Sequence, residues 1–345
     1  MKRLLISIVS PCYNEEDNVA RCHAAVFALF AEGGPLAEYD YEHIFADNSS
    51  GDRTVEILRE IAASDPHVRV IVNARNYGPF RSAFNALRRT KGDAVVPMFP
   101  VDLQDPPELI PTFVKHWEEG YLRVYGVRAH RDEGRLMHFV RRRYYWAVNK
   151  FSSIHIPKDV AEYQLLDRKI VDSLLRFRDH YPYIRGMIAN VGFEKQSKAI
   201  GYTWQERQSG ISKNRLVNLI DQGLNGLISF TNFPMRAAIL FGLALALLSI
   251  IYALIQLGLN LIWPGSAPPG IATIIVAIFL FSGVQLAVLG VIGEYIAAIH
   301  FQVRQGDIVV ECETMNMEEP DETMTSLASR HLALKLDKQG EPTRE

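Results

Sequence analysis

The sequence predicts an α/β domain with a mostly parallel sheet, carried by a two-helix hairpin in a membrane. Three observations predict it. Over the first two hundred residues, short apolar runs alternate with helix-patterned stretches, as a mostly parallel sheet requires. From Ala237 through Gly293 there is no Asp, Glu, Lys, Arg or His. An acidic turn, Val101-Asp102-Leu103-Gln104-Asp105-Pro106-Pro107-Glu108, follows an apolar run, where such sheets bind ligands.

Strands are expected at Leu4–Ser10, His43–Asp47, Val68–Asn73, Ala94–Phe99 and Leu122–Val127. Helical spacing marks Asp52–Ala63 and Arg81–Arg89 between them. A dehydrogenase-type nucleotide fold would carry a glycine-rich turn after its first strand. That position reads Ser10-Pro11-Cys12-Tyr13-Asn14-Glu15-Glu16, without glycine, so the dinucleotide reading is excluded. After the fourth strand, Pro106-Pro107 forbids helix continuation and forces a turn. Asp102 and Asp105 suit a divalent cation holding a diphosphate, because Mg²⁺ takes one or two carboxylates plus phosphate oxygens. An acidic turn without a ligand is the alternative.

Hydrophobic residues make up 48% of the 345, and two apolar runs concentrate them, Ala237 to about Leu261 and Ile271 to Ile292. A bilayer core needs about 20 residues, and each run is long enough. A breaker-rich turn, Trp263-Pro264-Gly265-Ser266-Ala267-Pro268-Pro269-Gly270, separates them. Arg236 precedes the first run and Arg304 follows the second, so the large N-terminal region and both termini are expected in the cytoplasm. Leu4 to Val9 is too short for a signal peptide. Cys12, Cys22 and Cys312 have neither metal nor disulfide spacing, in keeping with a reducing compartment. A formal net charge of −2 gives no footprint for nucleic acid.

The expected order is therefore a cytoplasmic catalytic domain over 1–210, an amphipathic interfacial segment over 211–235, a hairpin over 236–304 and a polar, mostly flexible tail over 305–345. The interfacial segment rests on Leu216, Val217, Leu219, Ile220, Leu224, Leu227 and Ile228 at helical spacing, an apolar face for the membrane or, equally, for packing on the domain before it. Arg141-Arg142-Arg143-Tyr144-Tyr145-Trp146 sets three cations beside aromatic bodies, suited to a phosphate headgroup at an interface or to a solvated basic helix face. Gly242, Gly283 and Gly290 allow close helix approach and homo-oligomerisation without fixing the number of copies.

Seven segments in order resemble the family 2 inverting glycosyltransferases of GT-A (Rossmann-like) fold, in the branch that loads a sugar onto a polyprenyl phosphate. They are Pro11-Cys12-Tyr13-Asn14-Glu15, Asp47-Asn48-Ser49-Ser50-Gly51-Asp52-Arg53-Thr54, Asn76-Tyr77-Gly78, Asp102-Leu103-Gln104-Asp105-Pro106-Pro107-Glu108, Leu166-Asp167-Arg168, Ser212-Lys213 and Gly293-Glu294-Tyr295-Ile296. The resemblance implies a nucleotide-diphosphate sugar, UDP-linked by family habit, as donor and polyprenyl phosphate as acceptor. Pro11, Tyr13, Glu15, Asp47, Asn76, Asp102 and Gln104 would then line the nucleotide-sugar pocket. A Mg²⁺ or Mn²⁺ ion would sit on Asp102, with Asp105 as a second ligand. Arg207, Ser212 and Lys213 match a loop that closes on phosphates, its cations neutralising the departing diphosphate. Arg141, Arg143, Tyr144 and Ser212 would meet the lipid phosphate. For Asp47 the nucleotide role is favoured over a turn role, and for Asp52 helix capping is favoured.

Two positions depart from the family. Pro100 stands where many relatives carry a further Asp, two places before Asp102. In Ala161-Glu162-Tyr163-Gln164, Glu162 replaces the Asp of a Gly-Asp-Phe-Arg element. A lipid phosphate, with a second pKa of about 6, is largely dianionic at neutral pH and needs no general base. Glu162 is therefore expected to orient the acceptor or a sugar hydroxyl. The alternatives are a polysaccharide synthase, whose Gln-x-x-Arg-Trp element is missing from Trp204-Gln205-Glu206-Arg207-Gln208, and a sugar-nucleotide binder without turnover.

Overall fold

A computed structural model describes residues 3–128, 160–177, 182, 184–203, 233–262, 270–303 and 309–317. Eight strands form one sheet: β1 (Leu5–Cys12), β2 (Asp40–Asp47), β3 (Val68–Asn73), β4 (Ala94–Val96), β5 (Arg123–Arg128), β6 (Val160–Asp167), β7 (Ser197–Tyr202) and β8 (Glu311–Met315). Their order is β7-β5-β6-β4-β1-β2-β3-β8. The central strands β4, β1, β2 and β3 run parallel, as do β5 and β7, whereas β6 and β8 are antiparallel to their neighbours. The sheet is mixed and mostly parallel, as expected.

Alternation along each strand divides the core into two layers. Ile6, Ile8, Phe45, Val70, Val96 and Tyr163 face a layer covered by α1 (Val19–Phe30), α2 (Thr54–Ser64) and α4 (Leu109–Glu118). Val9, Ile44, Ile71, Val95 and Leu166 face a second layer covered by α3 (Pro79–Leu87), α5 (Arg168–Leu175) and α6 (Ile184–Val191). The strands are buried on both faces, so they read as near-continuous apolar runs, which is what made them visible in the sequence.

Three differences have physical causes. The fourth strand ends at Val96, short of the expected Phe99, because Pro97 has no N–H to continue the ladder. The chain nonetheless follows β1, and Phe99 N–H donates to the Val9 carbonyl at 2.7 Å. Strand β6 was not among the expected strands; Glu162 and Gln164 interrupt its apolar pattern. Strand β8 lies in the tail expected to be mostly flexible, paired with the β3 edge. Side chains hold it: Glu311 accepts from Arg89 (2.7 Å) and Asn85 (2.7 Å), and Asn316 donates to the Ala62 carbonyl (2.6 Å).

Beyond the sheet, α7 (Phe233–Ile262) runs 30 residues and α8 (Ile271–Val303) runs 33. Among the described residues no helix is long and apolar enough to cross a membrane. The expected hairpin therefore rests on the sequence.

Candidate functional site

Five non-glycine residues among those described hold a left-handed backbone: Asn14 (φ 51°), Ser49 (φ 63°), Leu103 (φ 56°), Phe193 (φ 64°) and Asn316 (φ 54°). The first three lie in the loops that leave the carboxyl ends of β1, β2 and β4, which are neighbours in the sheet. Left-handed backbone costs a residue with a Cβ about 1–2 kcal/mol. Such strain persists only where the surroundings over-determine it, and it collects at ligand sites.

Hydrogen bonds between the β1 and β2 loops supply that over-determination. Asn14 N–H donates to Ser50 Oγ (2.8 Å), Gly51 N–H to Asn14 Oδ1 (2.8 Å) and Glu15 N–H to Thr54 Oγ1 (2.8 Å). Asn48 N–H reaches back to the Cys12 carbonyl (2.9 Å). These side chains do the work of a glycine-rich turn. Asp47, which pairs in register with Cys12 at the strand ends, is fully buried and accepts from Ser50 N–H (2.9 Å) and from the Ser50 hydroxyl. Burial raises its pKa above the usual carboxylate range, opposed by the Ser50 donors. Asp47 thus makes the turn contacts that compete with the nucleotide role expected for it. Asp52 Oδ1 accepts from Thr54 N–H at 3.0 Å, so the capping role favoured for it is also seen, exerted from the residue before the helix-flanking Arg53.

Tyr13 is partly exposed beside this platform, and Glu15 Oε2 accepts from Asn18 at 2.6 Å. Asn76 Oδ1 accepts from Gly78 N–H (2.9 Å), shaping the entry to α3, where Gly78 has a φ of 85°. In the loop after β4, Leu103 N–H closes a turn on the Pro100 carbonyl (3.3 Å), and Asp102 Oδ1 accepts from Gln104 N–H (3.2 Å). Pro100, in the place of the further acid, serves that turn. The strained Leu103 fixes the half-buried Asp102 and Gln104 on either side of it.

Asp105 is reassigned. It is 3% exposed, accepts from Arg128 Nη2 at 3.3 and 3.4 Å and takes the Tyr202 hydroxyl. The expected metal role is corrected to an anchoring one: an arginine on β5 and a tyrosine on β7 hold the carboxylate that was to share the cation. The loop is fixed again where Tyr163 OH donates to the Pro106 carbonyl at 2.9 Å. Gly126 makes room for this arrangement, since a Cβ there would lie 2.6 Å from the Tyr202 ring.

Glu162 lies on β6, antiparallel to β4 with Ala94 opposite Asp167 and Val95 opposite Leu166. Continuing that register brings Glu162 to the level of Phe99, at the same edge as the Asp102 loop. Arg185 at the start of α6 grips Glu162 Oε1 from Nε (2.8 Å) and Nη2 (2.5 Å). Leu166-Asp167-Arg168 is structural: Asp167 caps α5 through Lys169 N–H (2.9 Å) and accepts from Trp117 (2.8 Å), while Arg168 binds the Gly92 carbonyl (2.7 Å).

Residues 7–175 match the family described as Glycosyl transferase family 2. The chain is 33% identical over 300 residues to the SfII prophage-derived bactoprenol glucosyl transferase of Shigella flexneri, covering 87% of this chain and 94% of that protein. The chain belongs to glycosyl transferase family 2. It is a glycosyltransferase of α/β GT-A fold. It is also 32% identical to the uncharacterized glycosyltransferase YkcC of Bacillus subtilis (strain 168), covering 92% of this chain and 96% of that one. Among solved structures it is similar to glucosyl-3-phosphoglycerate synthase from Mycobacterium tuberculosis in complex with Mn²⁺, UDP-glucose and phosphoglyceric acid. That likeness has a TM-score of 0.48 and 21% identity, over 65% of this chain and 78% of that one.

For a family 2 glycosyltransferase, the structure brings Pro11, Tyr13, Glu15, Asp47, Asn76, Asp102, Gln104 and Glu162 to one edge of the sheet. Arg141, Arg143, Tyr144, Arg207, Ser212 and Lys213 lie outside the described residues. Sequence reading missed Arg128 and Tyr202 on Asp105 and Arg185 on Glu162, for which no spacing gave a signal. Among the described residues no group of three or more His, Cys, Asp or Glu could hold a metal ion. With Asp105 anchored elsewhere, Asp102 is the residue of the expected pair that would hold an ion, since Mg²⁺ takes as few as one carboxylate beside phosphate oxygens and water.

Proposed function

We propose that this protein transfers one hexose, with inversion, from a nucleotide-diphosphate sugar (UDP-linked) to an undecaprenyl-type phosphate at a membrane surface. The observation that carries this is the row of three strained loops on β1, β2 and β4, the first two bonded to each other. It forms a rigid platform for a nucleotide diphosphate, with Asp102 at the diphosphate end. The curated relatives support the acceptor, since the similarity to a bactoprenol glucosyl transferase covers 87% of this chain.

Chemistry then divides among the chain's own residues. The Asn14–Ser50–Asp47 network shapes the nucleotide pocket, and Tyr13 offers an aromatic face beside it. Asp102 would hold Mg²⁺ or Mn²⁺, and the ion would supply positive charge against the leaving diphosphate. Glu162 orients an incoming group. A lipid phosphate oxygen forms the new bond to the anomeric carbon on the face opposite the breaking bond to diphosphate. Positioning and electrostatics supply the rate. Arg207 and Lys213 are the proposed cations for the departing diphosphate; Arg141, Arg143, Tyr144 and Ser212 are the proposed contacts of the acceptor phosphate.

The proposed setting is a bilayer, with α7 and α8 as the two spans. At about 1.5 Å per residue, helices of 30 and 33 residues exceed the ~30 Å hydrocarbon thickness. Leu240, Leu248, Leu261 and Leu286 are 62–74% exposed, an arrangement that water disfavours. Scored on the described residues alone neither helix qualifies as a span. The unbroken sequence argues otherwise, because its charge-free window runs through both helices. The β8–β3 pairing supports an even number of crossings, since an odd number would leave β8 across the bilayer from β3. Both termini and the catalytic domain are then cytoplasmic.

The test incubates full-length protein in detergent with Mg²⁺ or Mn²⁺, undecaprenyl phosphate and a panel of labelled UDP- and GDP-sugars. Organic-extractable label carrying one sugar is expected. Long polymer, or binding of a nucleotide sugar without transfer, overturns the reading.

A further inference from the structure

The polar cluster behind Glu162 is built unlike the rest of the core. Glu162 Oε1 is held by Arg185, while Glu162 Oε2 is buried and has no hydrogen-bond partner. Two residues along the same face of β6, Gln164 is fully buried, and its Oε1 accepts from Arg123 Nε at 3.0 Å. Arg123, on β5, is itself 3% exposed and stacks over the Tyr125 ring at 4.6 Å. Burial lowers its pKa to about 10, and Glu162 and Arg185 are among the charges that act on it.

This arrangement rewrites the Gly-Asp-Phe-Arg element. Position 162 carries an acid one methylene longer, and position 164 carries Gln164 where that element has its arginine. A longer acid has one more rotatable bond, so its carboxylate is less well placed unless something holds it. Gln164 brings no charge to do so. The guanidinium arrives instead from α6, where Arg185 binds one oxygen bidentately, and Arg123 buttresses Gln164 from the neighbouring strand. Two N–H groups of one rigid guanidinium converge on that oxygen and fix its position.

We propose that Arg185 is a positioning residue for the transfer: it clamps Oε1 of Glu162 and leaves Oε2 as the oxygen that meets the substrate. The unpartnered buried oxygen agrees, because an isolated buried acceptor costs about 1–3 kcal/mol and is retained where a ligand completes it. The clamp rests on the glycosyltransferase reading above, in which Glu162 orients an incoming group.

The test compares full-length wild type with Arg185→Gln, Arg185→Lys, Glu162→Gln and the Glu162→Gln/Arg185→Gln double variant. Sugar transfer to undecaprenyl phosphate gives kcat and KM, and UDP binding is measured separately. Arg185→Gln is expected to lower kcat about tenfold or more while UDP binding and the nucleotide-sugar KM stay as in wild type. Arg185→Lys restores part of the loss. The double variant is expected to be no slower than Glu162→Gln alone, because the two side chains act as one unit. Should Arg185→Gln alone fail to fold, with Glu162 left unpaired, the double variant against Glu162→Gln still decides, having neither charge. Wild-type kcat in Arg185→Gln, a multiplicative loss in the double variant, or a loss confined to UDP binding overturns the clamp. Absence of transfer by wild type itself would instead overturn the underlying transferase reading.

Discussion

In the loop that leaves β2, acids are held by neighbours in sequence. Asp47 takes its donors from Ser50, and Asp52 takes its own from Thr54. In the half built on β4, β6, β5 and β7, acids are held from far along the chain. Asp105 depends on Arg128 and Tyr202, and Glu162 on Arg185. The first arrangement uses neutral N–H and hydroxyl donors, each of which can be lost with modest consequence. The second pairs charges that are largely out of water, where loss of one partner leaves the other uncompensated. One region is a rigid local platform and the other an assembly of distant parts, so the two should break differently.

The largest effect is expected where the halves meet. Asp102→Asn should lower metal-dependent kcat by on the order of 10²–10³, with the thermal melt unchanged, since a group acting on transition-state charge is lost and no core contact is. Transfer at wild-type rate would remove Asp102 from the site. Next is the ion pair on the far side. Arg128→Ala should destabilise the protein by roughly 3 kcal/mol, read as a lower Tm, because Asp105 stays buried without its cation. The double variant Arg128→Ala/Asp105→Ala should cost less than the sum of the two single losses.

The near half should answer to pH. His43 on β2 is fully buried, its Nε2 paired with Ser10 Oγ at 2.9 Å, and burial lowers its pKa to about 3. The unfolded chain binds a proton there at about pH 6.5 and the folded chain does not, so stability is complete above pH 6.5 and falls with pH toward 3. Between about pH 6.5 and 5 the loss should be about 2 kcal/mol, and His43→Phe should flatten that part of the stability profile. An equal slope in the variant would assign the loss elsewhere. Smaller still is Asp47→Asn, expected to weaken UDP binding about tenfold, or about 1.4 kcal/mol, by loosening the turn at Ser50. Unchanged binding would reduce that turn to scaffolding.

The same contrast explains what could be read in advance. Strands β1 to β5, the helices over Thr54–Ser64 and Pro79–Leu87 and the loops at Asp47–Thr54 and Asp102–Gln104 were legible because each is a contiguous run with its own periodicity or turn chemistry. The β6 strand was obscured because Glu162 and Gln164 belong to a polar network whose cations come from β5 and α6. Asp105 was misread for the same reason. In the sequence it is one of two acids in a turn; in the fold, its partner Tyr202 lies 97 residues away. Pairings of that kind leave no local signature.

The edge strand β8 tests the contrast at its mildest, because it joins distant chain segments with contacts of two different grades. Glu311 meets Arg89 with both side chains mostly buried, 17% and 25% exposed, and also accepts from Asn85. Glu313 meets Arg59 with both about half exposed, 43% and 53%. Sequence distance is nearly equal for the two pairs, so burial and the added Asn85 donor separate them. Glu311→Ala should therefore cost about 1–2 kcal/mol, leaving a partly buried arginine unpaired. Glu313→Ala should cost at most about 0.5 kcal/mol, a loss that vanishes at high salt. Thermal melts at low and high ionic strength read both. Equal losses would show that long-range pairing itself, and not the withdrawal of charge from water, makes the far half fragile.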